Sequence, residues 1–213
     1  QFSERIGIYA DLQLRKIDYT TSGSTSNVED LTVNKHYSFF NPKAGLNFTL
    51  NDKNKIYFSL SRAYREPTRS DFENNINIQP EELVDYELGW KFNTKKFYFS
   101  SNLYYMNYKN QLVLTGALDD VGSPIRKNSG KSFRKGIELE SIFKATNNLD
   151  ISSNISFSRN NNIDYKTNFD GVVTNWGDTD ISCSPDLVSS IGVNFRPKED
   201  INISILNKFV GEQ

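Results

Sequence analysis

Apolar and polar residues alternate through most of the chain with a period of two, which places them on opposite faces of an extended backbone. In the first run Ile6, Ile8, Ala10, Leu12 and Leu14 share one face, and Arg5, Gly7, Tyr9, Asp11, Gln13 and Arg15 share the other. A second run sets Phe40, Pro42, Ala44, Leu46, Phe48 and Leu50 against Asn41, Lys43, Gly45, Asn47 and Thr49. Pro42 lacks a ladder donor and weakens that strand locally. Later apolar faces carry Ile56, Phe58 and Leu60; Val84, Tyr86, Leu88, Trp90 and Phe92; Phe97, Phe99, Leu103 and Tyr105; and Ile137, Leu139 and Phe143. The last three hold Leu149, Ile151, Ile155 and Phe157; Leu187, Ile191, Val193 and Phe195; and Ile201, Ile203, Ile205 and Phe209. The pattern predicts an all-β antiparallel meander of about nine strands.

The connections between these runs are unequal in a regular way. Residues 51–54, 93–96, 145–148 and 196–200 are tight polar turns, whereas 20–35, 66–80, 114–127 and 159–184 are long and rich in Asn, Ser, Thr, Asp and Gly. Long structureless loops are uncommon in a compact soluble domain. Short turns at one rim and long loops at the other are the pattern of an outer-membrane barrel. A tilted spanning strand needs about 9 to 11 residues, and these runs are long enough. The expectation is a piece of a large transmembrane β-barrel whose apolar face touches lipid.

Charge placement agrees with that expectation. A Lys or Arg on the lipid face at mid-bilayer costs roughly 2 to 4 kcal/mol, and the middle of nearly every apolar face is free of charge. Glu4, Lys16 and Asp18 share the apolar parity of the first run but sit near its ends. Arg62 is the exception, following Ile56, Phe58 and Leu60 on their parity. It calls for a bulge that switches parity or a guanidinium reaching outward to head-group phosphates. The competing reading is a soluble or surface-displayed β-sandwich that binds carbohydrate or mediates adhesion. That fold would pack Trp90, Phe99, Leu139 and Ile151 against a second layer of the same chain.

Composition removes other classes. With one Met and one Cys among 213 residues and 13% aromatics, Phe and Tyr are the dominant bulky side chains, which suits strands. The net charge of -1 gives no electrostatic reason to expect a nucleic-acid partner. No run of 18 apolar residues exists, and a mean hydropathy of -0.59 is compatible with alternating strands. The chain opens inside an alternating run without an initiating Met and is read as a fragment. Cys183, the single cysteine, cannot form an internal disulfide, and with His36 the single histidine neither a clustered zinc site nor a Ser-His-Asp arrangement can be built. Catalytic residues, metal ligands and cofactors are therefore not expected. Residues 164–171 are acidic at both ends but fail calcium-loop spacing, Asp178-Thr179-Asp180 reads as a solvated loop, and Asn47, Asn154 and Asn202 match the glycosylation pattern inside strands by chance.

Four segments carry a family resemblance. Ser59-Leu60-Ser61-Arg62-Ala63-Tyr64-Arg65-Glu66-Pro67-Thr68-Arg69-Ser70-Asp71-Phe72 resembles a strand and loop start of TonB-dependent outer-membrane receptors. Gln79-Pro80-Glu81-Glu82-Leu83, followed by Tyr86-Glu87-Leu88-Gly89, is similar to the family's proline-glutamate box and the strand after it. Leu103-Tyr104-Tyr105-Met106-Asn107-Tyr108-Lys109-Asn110-Gln111-Leu112 and Asn128-Ser129-Gly130 leading to Gly136-Ile137-Glu138-Leu139-Glu140 resemble the next two strands. The resemblance covers roughly residues 55–140. It implies that residues 1–213 are part of a receptor barrel in the outer membrane of a Gram-negative bacterium, lacking the plug and closing strands. It further implies import of a large nutrient energised by the TonB complex through the plug, most simply a ferric siderophore-type iron complex, with glycan or cobalamin uptake open within the same architecture. Outer-membrane lipid and lipopolysaccharide are implied as surroundings. Residues 68–78 hold no histidine, which disfavours haem.

Glu87, Glu138 and Glu140 alternate with apolar neighbours and, with Arg65, are expected to contact the lumen wall or the plug. Arg69, Phe72, Arg126 and Trp176 are expected to grip ligand at the external mouth, because aromatic and cationic side chains suit large substrates there. Gly89 and Gly136 lie within strands, where glycine permits bending or close backbone approach.

Overall fold

A computed structural model of the chain describes residues 5–24, 31–119, 122–169 and 172–212. The start of the first run with Glu4, the middle of the first long connection and Asp170-Gly171 at the end of the acidic segment lie outside the described residues. Nine long strands form one antiparallel meander. They are β1 (Ile6–Thr21), β2 (Val33–Asn51), β3 (Asn54–Arg65), β4 (Glu81–Asn93), β5 (Phe97–Lys109), β8 (Lys131–Lys144), β9 (Leu149–Phe169), β11 (Leu187–Lys198) and β12 (Ile201–Val210), each paired with the next. The remaining elements are a short helix α1 (Arg69–Asn74), a separate hairpin of β6 (Leu112–Leu118) and β7 (Pro124–Asn128), and β10 (Val172–Asp180), which folds back on the far end of β9.

Register aligns the apolar faces of successive strands into continuous rows. Ile8 stands opposite Leu46, Leu46 opposite Phe58, Phe58 opposite Leu88, Leu88 opposite Leu103, Leu103 opposite Ile137, and Ile137 opposite Phe157. A one-residue slip anywhere would turn a whole strand inside out, so the alternation fixes the register. Leu12, Leu14 and Ile205 on this face are 71%, 76% and 66% exposed, and no second sheet covers it among the described residues. Trp90 is 39% and Ile151 36% exposed, with the Trp90 ring flanked by Phe99 at 5.5 Å and Phe92 at 6.3 Å on its own sheet. The sandwich reading required a packed layer here and is thereby overturned. Near the short turns the rings of Trp90, Phe92, Phe97, Phe99 and Phe143 touch in series, an aromatic girdle at one edge of the apolar band.

Pro42 lies just past the last β2–β3 pair, Lys43 with Ser61, so its missing donor is not needed by that ladder. Arg62 did not require a bulge, since the β3–β4 register runs unbroken through its pairing with Val84. Its guanidinium instead reaches along the strand to Glu82 at 2.8 Å and the Tyr64 hydroxyl, over the Tyr64 ring at 4.9 Å. A carboxylate on the same face answers the charge that was expected to go to head groups or to switch parity.

The opposite face is a polar ladder. Three of its cross-strand pairs match a tyrosine with a glycine, Tyr9 with Gly45, Tyr57 with Gly89 and Tyr104 with Gly136. A Cβ at Gly45 or Gly89 would overlap the partner tyrosine, so glycine there seats a ring flat on the sheet, and at Gly136 it would overlap the Phe157 backbone carbonyl as well as the Tyr104 hydroxyl.

The long connections are not structureless. The segment 66–80 contains α1, 112–128 is mostly the β6–β7 hairpin, and 159–184 is an extension of the sheet in which β9 runs on and β10 returns. They stand at one rim, where the buried side chains of Leu31, Val33, Phe72, Ile78 and Leu112 form a small core, with Tyr19 packed alongside, to which 66–80 and 112–128 contribute.

Candidate functional site at the long-loop rim

The rim is organised by its polar groups as much as by that small core. Asp71, 2% exposed, accepts from the Thr68 backbone N–H and hydroxyl at 2.8 Å each and from Arg126 Nε at 3.0 Å. Glu81 accepts from the Leu112 backbone N–H at 2.8 Å and pairs with Arg65 at 3.3 Å. The Asn128 amide donates to the carbonyls of Gln79 and Asn110 and accepts from the Gln79 N–H. Arg15 reaches across from β1 to Glu66. Residues of the resembling segments, Glu66, Asp71, Gln79, Glu81 and Asn128, thus fasten loop to loop.

This places two of the expected ligand residues inside the rim. Phe72 is 1% exposed and stacks on Tyr19 at 5.4 Å. Arg126 is engaged by Asp71, on the face of the β6–β7 hairpin that packs toward α1. Arg69 remains largely exposed and bonds Glu73 one turn away at 2.7 Å. Trp176 is 61% exposed and donates from its indole N–H to Thr167 Oγ1 at 2.9 Å. The structure therefore does not bring the four together.

What it does bring together is a cleft of about 320 Å³ between the two outer hairpins, lined by Val113 and Lys127 from one and by Asn162, Tyr165, Trp176 and Asp180 from the other. Val113 and Lys127 are directly opposed on β6 and β7, so alternation sends Lys127 into the cleft and its neighbour Arg126 away from it. Register slips aim the aromatic groups. Trp176 is the extra residue between Asn175, opposite Lys166, and Gly177, opposite Tyr165. A second slip lies between Tyr165 and Asn162 on β9, where Asp164 has φ 50°. Both are β-bulges, which re-aim side chains by breaking the period of two. Lys166 and Asn175 bond the Asp164 carboxyl at 2.8 Å and hold it below its usual pKa. Lys127 Nζ sits 4.4 Å from the Tyr165 ring centroid. Asn162 is 4% exposed, and its Oδ1 has no partner among the described residues. The cleft can thus offer a cation, two rings and an unfilled amide acceptor to a polar, partly aromatic or anionic molecule. Sequence reasoning reached Trp176 but not Lys127, Tyr165 or Asn162, because two bulges and a hairpin face decide them.

Beneath the rim Glu87, Glu138 and Glu140 all lie on the polar face. Glu87 accepts from Ser59 Oγ at 3.1 Å. Glu138 and Glu140 line a recess of about 280 Å³ with Tyr57, Lys91, Asn102 and Asn154. Tyr57 donates to Asn102 at 3.0 Å, and Lys91 lies 5.4 Å from the Tyr57 ring centroid. Among the described residues Glu138 and Glu140 make no ion pair, so both present free carboxylates on this face. No cluster of metal-ligating side chains occurs among the described residues.

Comparison with known proteins gives a consistent picture. A family model described as TonB dependent receptor-like, beta-barrel, matches residues 7–209. The fold is similar to the ferric-catecholate import receptor Fiu from K12 E. coli, with a TM-score of 0.68, 14% identity, and coverage of 99% of this chain and 32% of that one. It is similar to the ferric yersiniabactin uptake receptor FyuA from Yersinia pestis, at TM-score 0.68 and 15% identity over 95% of this chain and 31% of that one. It is also similar to the copper transporter OprC, at TM-score 0.70 and 16% identity over 98% and 33%. The chain therefore spans about a third of the length of these structures. No curated protein matches the sequence.

Proposed function

The chain belongs to the family of TonB dependent receptor-like β-barrels, a family of receptors rather than enzymes, and from that premise we propose that it forms part of an outer-membrane receptor of a Gram-negative bacterium. The receptor binds a nutrient too large for passive pores, a ferric siderophore-type iron complex, and imports it with energy passed by the TonB complex to a plug domain. The observation that carries the reading is the two-sidedness of the sheet. Among the described residues it is uncovered and apolar on one face and polar on the other, and the elements of its long connections stand at one rim. Lipid takes the first face, and the lumen with its plug takes the second, where Arg65, Glu87, Glu138 and Glu140 make contact. Ligand is first held in the rim cleft by Trp176, Lys127 and Tyr165, while Arg69, exposed on α1, is a separate contact at the same rim. Phe72 and Arg126 act there by fixing the loops. Iron complexes are favoured because a cation beside exposed rings suits anionic aromatic chelates.

The test is made on the full-length receptor in detergent, following Trp fluorescence during titration with a ferric tris-catecholate and a ferric trihydroxamate. At least one should quench with micromolar affinity or better, and the Lys127→Gln and Trp176→Ala variants should each weaken binding about tenfold, or about 1.4 kcal/mol. The parent strain should need both this receptor and TonB to grow on that complex as its iron source. Binding of neither iron complex, with growth under iron limitation unchanged by deletion, overturns the iron reading.

A further inference from the structure

A broad groove lies on the apolar face rather than in the mouth. It has a volume of about 590 Å³ and follows the row Phe58, Leu88, Leu103, Ile137 and Phe157, with Tyr105 above. One row nearer the long-loop rim, Lys135 and Arg159 stand directly opposite each other at its upper edge. Like charges so placed repel, and both side chains are exposed. Neither takes part in an ion pair among the described residues. Both reach further up the strand, Lys135 over the Phe133 ring at 5.3 Å and Arg159 Nε to Asn161 Oδ1 at 3.1 Å. A second opposed pair, Lys109 with Lys131, lies above them. Lys109 also faces Glu82, but that carboxylate is held by Arg62.

Height fixes what this strip meets. Lys135 lies ten positions from Ala145 at the short turn, and at ~3.3 Å per residue and a tilt of about 40° that is roughly 25 Å, the thickness of the apolar band. The cations therefore sit where hydrocarbon ends and head groups begin, on the external side. Resting on the barrel reading, we propose that this groove and the Lys135–Arg159 pair form a binding site for a lipid of the outer leaflet whose phosphate-bearing head group is net anionic. An acyl chain lies along Leu103 and Ile137, and the phosphate is shared by the two cations. A shared anion removes the repulsion that the sequence otherwise leaves in place, and the groove supplies the selectivity for a lipid over a free anion.

The experiment uses the full-length receptor, delipidated in a non-ionic detergent, and reads bound lipid by native mass spectrometry. It is titrated with phosphatidylglycerol, with phosphatidylcholine of the same chains, and with inorganic phosphate. Phosphatidylglycerol should bind at least tenfold more tightly than phosphatidylcholine, and inorganic phosphate should not displace it at equal concentration. The Lys135→Gln/Arg159→Gln double variant should lose that preference while still binding both lipids weakly. Leu103→Trp, which fills the groove, should weaken both lipids. Heat-modifiable electrophoretic mobility confirms that each variant is a folded barrel. Equal affinity for the two lipids, preference persisting in the double variant, or displacement by phosphate alone would each overturn the site. A receptor that stays folded and soluble without detergent would instead overturn the membrane reading beneath it.

Discussion

Replacing Leu46 by Arg, and separately its neighbour Asn47 by Arg, tests which medium touches each face. Leu46 is 48% exposed and sits in the apolar row between Ile8 and Phe58, whereas Asn47 lies on the polar face opposite Gly7 and Tyr57. Leu46 is five positions from Asn51 at the short turn. At ~3.3 Å per residue and a tilt of about 40° it stands roughly 13 Å above that turn, near the middle of a band about 25 Å tall. There an arginine costs roughly 2 to 4 kcal/mol. Asn47→Arg, pointing into a polar space, should stay within about 0.5 kcal/mol of the parent, as surface substitutions do. If instead water covered both faces, Leu46→Arg would also be a surface change within about that range. The assay is reversible urea unfolding of the full-length receptor in lipid vesicles, followed by Trp fluorescence. A Leu46→Arg penalty below about 1 kcal/mol, or an Asn47→Arg penalty as large, refutes the assignment of lipid to the apolar face.

Two further substitutions probe the rim and the wall. Arg126→Ala leaves the Asp71 carboxylate buried with only Thr68 as donor. Because Arg126 is 29% exposed and those bonds remain, we expect about 2 kcal/mol of local destabilisation rather than the roughly 3–5 of a fully buried pair. Hydrogen exchange should quicken in 69–78 and 112–128 without change in the strands below, and unchanged protection would refute the anchoring role. Gly89→Ala forces a methyl into the Tyr57 ring and should cost about 1–3 kcal/mol. In Tyr57→Ser the same change should cost under about 0.5 kcal/mol, a coupling that a double-mutant cycle measures directly.

The wall was legible because one physical demand governs each of its positions. A side chain facing hydrocarbon must be apolar and its neighbour facing the lumen need not be, so the period of two, the nine strands and the tight turns could all be read from the sequence. Legibility falls where that demand stops. The segments 66–80, 112–128 and 159–184 are polar and rich in small residues, yet they form a helix and two hairpins, because their order comes from a few specific contacts: those of Asp71, Glu81, Asn128 and the core around Phe72 in the first two, and those of the buried Asn160, Asn161 and Asn162 in the third. Sequence gives no period for such contacts. Phe72 and Arg126 looked like binding residues because a ring and a guanidinium serve packing as well as recognition, and only burial separates the two uses.

The same contrast explains why the cleft had to be found in the structure. Position along a regular strand determines direction, so Glu87, Glu138 and Glu140 could be assigned to the polar face from parity alone. In the β9–β10 hairpin two bulges reset parity, and the residues they deliver, Tyr165 and Trp176, point where no count from the strand start would send them. A barrel wall tolerates few such resets, because each would turn lumen-facing polar residues to lipid, at roughly 2 to 4 kcal/mol where the residue is Lys or Arg near mid-bilayer. Outside the membrane that penalty disappears. The rim is therefore free to vary its directions, and a receptor can change what it recognises there while the wall keeps its period.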